Sequence, residues 1–201
     1  MIDEINNCLT TLKRGGLILY PTDTVWGIGC DATNADAVDK IFALKSIIKL
    51  LESLNCDYFI SVGTCLGIIR DQKLIPWDDD IDIDVYSEDL VPNFREMVMK
   101  LVNMGFVCRV VDRGDTSKVS AYKKNFKISI GGIYLDGDLR RAKSCAYPKK
   151  FYENSITHTI RERDFSIPGP ADEYLSYLYK DWKTPTRSDN VREYNQDYLY
   201  T

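Results

Sequence analysis

Residues 80–85 read Asp, Ile, Asp, Ile, Asp, Val. Side chains along an extended strand point alternately to its two faces, so Asp80, Asp82 and Asp84 share one face while Ile81, Ile83 and Val85 share the other. Asp is a poor strand former and neighbouring carboxylates repel, so such a face costs stability unless positive charge lies against it. Hard divalent ions such as Mg2+ or Mn2+ take oxygen ligands, usually one or two carboxylates completed by substrate phosphates. Asp80 and Asp82 are therefore the candidate metal ligands of a phosphoryl- or nucleotidyl-transfer site. The competing reading is an acidic edge strand that uses charge to block aggregation. That reading gives no role to Pro76 and Trp77 beside it, or to the glycine-rich element upstream.

The upstream element is Gly63-Thr64-Cys65-Leu66-Gly67, which follows an apolar run at 57–62 that reads as a strand. A strand entering a glycine turn and then a short helix brings backbone N–H groups to a place where an anion can approach. Gly63 and Thr64 are the expected phosphate donors, Gly67 permits close approach, and Arg70, about two turns into the helix, is expected to reach the same phosphate. Taken alone G-T-x-x-G marks any tight turn. An acidic strand about fifteen residues later makes it informative.

The net charge of −4 gives no general attraction to nucleic acid or an anionic membrane, so any basic site must be local. The six cysteines lie far apart with no C-x-x-C, which argues for a reducing compartment without a disulfide framework. His158 is the single histidine, which disfavours a His/Cys zinc site. No apolar run is long enough to span a bilayer, and the N-terminus does not read as a signal peptide; a cytoplasmic protein without stable membrane insertion is expected.

Along the chain, residues 1–16 read as a helix stopped by Gly15-Gly16, 17–20 as a strand, and 35–55 as a helix with apolar positions at helical spacing. Pro92 opens an expected helix to Asn103. Strands are expected at 106–111, 119–122 and 126–135, a strand or hairpin at 156–167, a short helix at 171–179, and a polar, loosely ordered tail from Thr184.

Two resemblances follow. The words Gly-Gly-Leu-Ile-Leu-Tyr-Pro-Thr-Asp-Thr-Val-Trp-Gly-Ile-Gly-Cys-Asp-Ala at 15–32 resemble the start of the YrdC family, the threonylcarbamoyl-adenylate synthases of tRNA modification. The resemblance covers residues 1–45; position 47 is Ile47 where the family's K-x-R element would place Arg, and the family's later nucleotide-binding segments have no counterpart. This segment is expected to be a structural extension, joined inside one helix to a second unit at 46–201.

That second unit, with Gly63-Thr64-Cys65-Leu66-Gly67-Ile68-Ile69-Arg70 followed by Ile75-Pro76-Trp77-Asp78-Asp79-Asp80-Ile81-Asp82 and a tail containing Glu173-Tyr174-Leu175 and Asp181-Trp182-Lys183, resembles the LicD family of phosphocholine and fukutin-related phosphotransferases. The resemblance implies an α+β nucleotidyltransferase fold of the DNA polymerase β type, a small mixed sheet flanked by helices. It also implies transfer of a phospho-substituted alcohol from a CDP-linked donor to a hydroxyl of a cell-surface glycan such as lipopolysaccharide, capsule or teichoic acid. Asp80 and Asp82 would hold the metal, and Asp78 would orient metal waters or act as base for the acceptor hydroxyl. Two roles stand open for Trp77, stacking on the donor or packing beneath the loop. Asp84 is expected to be solvated or to support the ligands indirectly. Enzymes of this fold commonly take a third carboxylate from a later strand, and here Ser129 stands where Asp is expected; Asp136 or Asp138, at that strand's far end, are the candidates to replace it. Lys123, Lys124, Arg140 and Arg141 either line the substrate's approach or are solvated. The competing functions are a catalytically degenerate nucleotide-binding or interaction module and a tRNA-modification protein judged by the N-terminus.

Overall fold

The computed structural model describes residues 2–14, 16–21, 26–30, 35–71, 75, 78, 80–124, 126–142, 145–160, 163–179 and 181–185. The N-terminal part runs α1 (Ile2–Lys13), a hairpin of β1 (Leu17–Pro21) and β2 (Trp26–Cys30), then α2 (Ala35–Ser53). The boundary expected at 45 and 46 falls inside α2, which continues without a break because residues 35–53 contain no Gly or Pro and carry apolar side chains at helical spacing. Over its C-terminal half this helix buries Ile47, Ile48 and Leu51.

The remaining elements are β3 (Tyr58–Ile60), α3 (Val62–Leu66), a π-helical turn at Gly67–Asp71, β4 (Asp80–Tyr86), α4 (Ser87–Asn103), β5 (Val107–Val111), β6 (Lys118–Lys123), β7 (Phe126–Asp136), β8 (Leu139–Arg141), β9 (Ala146–Pro148), α5 (Lys150–Glu153), β10 (Ile156–Ile160), β11 (Arg163–Ile167) and α6 (Ala171–Leu178). The central sheet is ordered β3-β4-β7-β6-β5, with β4 and β7 parallel and the other pairs antiparallel. The fold is mixed α+β, as expected. Because β4 lies between β3 and β7, the acidic strand is interior, and the edge-protection reading of its charges is wrong.

Register sets the two faces. One carries Ile81, Ile83 and Val85 of β4, Ile128 and Ile130 of β7, and Val119 and Ala121 of β6, all buried against α4 through Leu90, Phe94, Met97 and Leu101. A side chain at Gly132 would meet Ser87 Oγ and the Asp115 carbonyl, each at 2.9 Å, so this glycine lets the start of α4 approach β7. The other face carries Asp80, Asp82 and Asp84, with Lys127, Ser129 and Gly131 beside them on β7 and Tyr122, Ser120 and Lys118 on β6. An aromatic cluster of Phe59, Tyr86, Tyr147, Phe151, Tyr152 and Tyr174 gathers at the Asp84–Tyr86 end of β4. Asp80 and Asp82 lie toward the other end of the strand.

Helix α4 begins at Ser87, five residues before the expected start, and accommodates Pro92 in its second turn, where one intrahelical donor is lost. Among the described residues no helix is long and apolar enough to cross a membrane, and Cys8, Cys56, Cys65, Cys108 and Cys145 are free thiols. The polar tail from 186 onward lies outside the described residues.

Candidate nucleotide and metal site

The main chain of Asp82 is held from outside its own strand. Its N–H donates to Thr64 Oγ1 at 2.9 Å, and its carbonyl accepts the Ser61 N–H at 3.1 Å. The segment that the sequence suggests as a glycine turn is thus docked against the acidic strand, but as a helix: α3 already contains Gly63, Thr64 and Cys65. Thr64 is 2% exposed, so its hydroxyl secures Asp82 rather than facing a ligand.

Entry into α3 is tight. Val62, β-branched, adopts φ of +47°, a left-handed conformation that such residues rarely take without support. Support comes from Tyr174 of α6, whose hydroxyl accepts the Val62 N–H at 3.2 Å. At Gly63 a Cβ would lie 2.5 Å from Asp78 Oδ2, so only glycine lets the Asp78 carboxylate rest against the start of α3. These contacts bring Gly63, Thr64, Asp78, Asp80 and Asp82 together.

The carboxylates do not share one environment. Burial, followed by repulsion from Asp80, Asp84 and Asp78, pushes the Asp82 carboxyl up to about 7, against a smaller opposing pull from Lys118. Asp84 is buried, and burial pushes its carboxyl up to about 6 although Tyr152 donates a 2.9 Å hydrogen bond to it. Ser61 Oγ lies close enough to favour the charged form of Asp84, yet it is buried without a hydrogen bond of acceptable geometry. Asp84 is therefore an interior group tied to the aromatic cluster, neither solvated nor lining the open face. Asp80 is met from β7 by two side chains: the Lys127 ammonium at 2.9 Å and the Ser129 hydroxyl at 3.3 Å, both on Oδ2.

Two hard oxygen donors on one strand, one of them holding its proton to about 7 because it is buried and because other carboxylates crowd it, form a donor set that fits Mg2+ or Mn2+. Among the described residues no group of three or more Asp, Glu, His or Cys side chains gathers to hold a metal. Mg2+ commonly takes one or two protein carboxylates and completes its shell with water and ligand phosphates, and the two strand carboxylates match that share.

The other expected site residues are placed elsewhere. Arg70 falls in the π-helical turn rather than two turns into a helix, and its guanidinium is taken up by Asp71 (Nε to Oδ1 2.9 Å, a second nitrogen to Oδ2 2.6 Å) and by the Trp182 carbonyl at 3.4 Å. It ties down the C-terminal segment. Gly67 is buried at the junction of α3 and that turn with ordinary helical angles, so no left-handed geometry requires glycine there. Asp136 lies nine residues along β7 from the Asp80 level, about 30 Å of strand, and pairs with Arg141 at 2.6 Å. It does not replace the absent third carboxylate, and Asp138 in the following turn pairs with Lys149. Lys123 donates to the Met104 carbonyl and Arg140 pairs with Glu88 while lying over the Tyr86 ring, so neither lines an approach to Asp80. Trp77 lies outside the described residues. Sequence reasoning missed Lys127, Lys118, Tyr152 and Tyr174; the alternation of β7, which puts Lys127 and Ser129 on one face, was the signal for the first.

Residues 55–170 match the family model described as LicD/FKTN/FKRP, nucleotidyltransferase domain, and residues 10–50 match the Sua5/YciO/YrdC model described as telomere recombination. The threonylcarbamoyl-AMP synthase of Saccharophagus degradans is 50% identical over 44 residues, 22% of this chain and 23% of the synthase. An uncharacterized Rickettsia prowazekii protein is 26% identical over 150 residues, 69% of this chain and 53% of that protein. The chain thus spans about a quarter of the synthase and about half of the rickettsial relative. Among solved structures, the antibiotic-resistance factor ANT(2'')-Ia is 14% identical over 65% of each chain with a TM-score of 0.46, and a Thermotoga maritima putative nucleotidyltransferase is 15% identical over 70% of this chain and 83% of that one with a TM-score of 0.45.

Proposed function

The chain belongs to the LicD/FKTN/FKRP nucleotidyltransferase-domain family, and on that premise we propose that it transfers a phospho-substituted alcohol, phosphocholine-like or a polyol phosphate, from a CDP-linked donor to a hydroxyl of a cell-surface glycan. In this reaction the acceptor oxygen forms a bond to the phosphorus that bears the alcohol, the bond from that phosphorus to the bridging oxygen breaks, CMP leaves, and the acceptor proton passes to a base. Asp80 and Asp82 would hold Mg2+ or Mn2+, which supplies charge compensation to the diphosphate as CMP leaves. Asp78, seated on Gly63 beside these carboxylates, is the candidate base. Thr64 and Ser61 position Asp82 by holding its main chain.

The observation that supports the reading is the placement of the carboxylates: Asp80 and Asp82 alternate onto one face of β4, Thr64 of α3 holds the Asp82 main chain, and Asp78 rests against Gly63 at the start of α3. The test is Mg2+-dependent binding of CDP and a panel of CDP-alcohols to the wild-type chain and to Asp80→Ala/Asp82→Ala. Binding that needs both the metal and the carboxylates supports a donor site here. No binding by a folded wild-type chain would sink it.

A second reading, a nucleotide-binding module without turnover, is favoured by one specific feature: β7 offers Ser129 and Lys127 where a further carboxylate would assist the acidic strand. Release of CMP from a bound CDP-alcohol in the presence of an acceptor would exclude it. A threonylcarbamoyl-AMP synthase activity is weakly supported, since the matched stretch amounts to 23% of such an enzyme; absence of ATP and threonine binding would dismiss it.

A further inference from the structure

The face around Asp80 contains its own positive charge. Asp78, Asp80 and Asp82 contribute carboxylates. From β7 the Lys127 ammonium lies 2.9 Å from Asp80 Oδ2 and the Ser129 hydroxyl donates to the same oxygen; from β6 the Lys118 charge acts on both Asp82 and Asp84. The Lys127–Asp80 pair is well shielded, with side chains 28% and 12% exposed, so it is stronger than an open surface pair. Register makes the contact a built feature: Asp80 and Lys127 are direct partners across the parallel β4–β7 pair, as are Asp82 and Ser129.

Asp80 Oδ2, which accepts from both an ammonium and a hydroxyl, has no lone pair left to offer a metal, whereas Oδ1 of the same carboxylate carries its own. A cation arriving at Asp80 and Asp82 must displace the lysine from Oδ2 or bind through Oδ1 with the Lys127 charge against the same carboxylate, and either course costs affinity. We propose that Lys127 is the resident counter-ion of Asp80 and competes directly with the divalent cation for that carboxylate, which sets the metal affinity of the site low. The proposal rests on the metal reading given above and adds a residue that opposes metal binding. Displacement leaves the Lys127 ammonium on the same face, next to where ligand phosphates would lie, so the competition also separates empty and loaded arrangements of the site.

The experiment titrates Mn2+ alone into the full chain, followed by the loss of the free-ion electron paramagnetic resonance signal. Wild type is compared with Lys127→Met, which keeps the length and apolar stem, and with Lys127→Arg, which keeps the charge; circular dichroism confirms that each is folded. The expected result is Mn2+ binding about five- to tenfold tighter in Lys127→Met, the size of one shielded ion pair, with Lys127→Arg at or below wild-type affinity. Binding by Lys127→Met but not by wild type would support the proposal more strongly. Equal affinity in wild type and Lys127→Met, or tightening by Lys127→Arg as well, would overturn the proposal while leaving the metal site intact. No Mn2+ binding by any of the three, either alone or with CDP present, would overturn both. If Lys127→Met does not fold, Lys127→Gln takes its place with the same expectations.

Discussion

Asp82→Asn removes a charge that the folded chain accommodates poorly, while keeping the shape and the main-chain bonds to Thr64 and Ser61. Moving a carboxyl from its ordinary 3.8 to about 7 corresponds to about 4 kcal/mol at full ionisation. Relaxation and water entry around a partly buried group commonly take about half, leaving about 2 kcal/mol. The sign follows from proton counts. Between pH 4 and 7 the folded chain holds the Asp82 proton more tightly than the unfolded chain, so wild-type stability falls as pH rises through this window and is lowest, for this group, above 7. The asparagine variant has no such loss. Urea unfolding should therefore show Asp82→Asn more stable than wild type by about 2 kcal/mol at pH 8, with about 1 kcal/mol of that gap opening between pH 5 and 8. A variant no more stable than wild type at pH 8, or a gap that does not change with pH, would refute the argument that Asp82 is held against its own charge.

Tyr152→Phe deletes the hydroxyl that donates to the buried Asp84 carboxylate and should cost about 1–3 kcal/mol. Because that bond holds the Asp84 carboxyl down, its loss raises a group already near 6, and urea unfolding should find the deficit larger at pH 8 than at pH 5. Gly63→Ala places a methyl 2.5 Å from Asp78 Oδ2, the far end of a side chain that can swing aside, so Asp78 should be displaced at a cost of about 1 kcal/mol or less, read by chemical denaturation together with at least tenfold weaker CDP binding in calorimetry. Arg70→Ala leaves Asp71 unpaired and the Trp182 carbonyl without its donor; about 2–4 kcal/mol of stability should be lost, and limited proteolysis should cut near 181–185 faster than in wild type.

Much of this was legible because it rests on local pattern. The Asp/Ile alternation of 80–85 specified a strand with an acidic face, and it lies where the pattern puts it; the glycine element, which reads as a phosphate-binding turn, is instead the start of α3, with the Thr64 hydroxyl engaged by the Asp82 N–H. What escaped depends on tertiary partners. Nothing near Asp84 announces that it is buried, since its environment comes from Tyr152, 68 positions later. Arg70 reads as a free phosphate ligand until the chain returns and offers it the Trp182 carbonyl. Asp136 shares β7 with Ser129, but the nine residues that separate it from Lys127, the partner of Asp80, carry it far from the acidic face. Helix α4 starts five residues before Pro92, because proline favours a first turn but is tolerated in the second.

The ties from Val62 to Tyr174 and from Arg70 to Trp182 each join positions 112 residues apart. During synthesis, the strained entry to α3 and the crowded acidic strand emerge long before either partner exists. A nascent chain that ends before 174 has the repulsion among its carboxylates without the α6 brace, and the entropy of closing so long a loop must be met before either contact forms. The face that carries Asp80 and Asp82 is thus expected to be the last part to become rigid on the ribosome. Chains released early would carry a formed sheet and an unset site, and would be the ones that proteases remove.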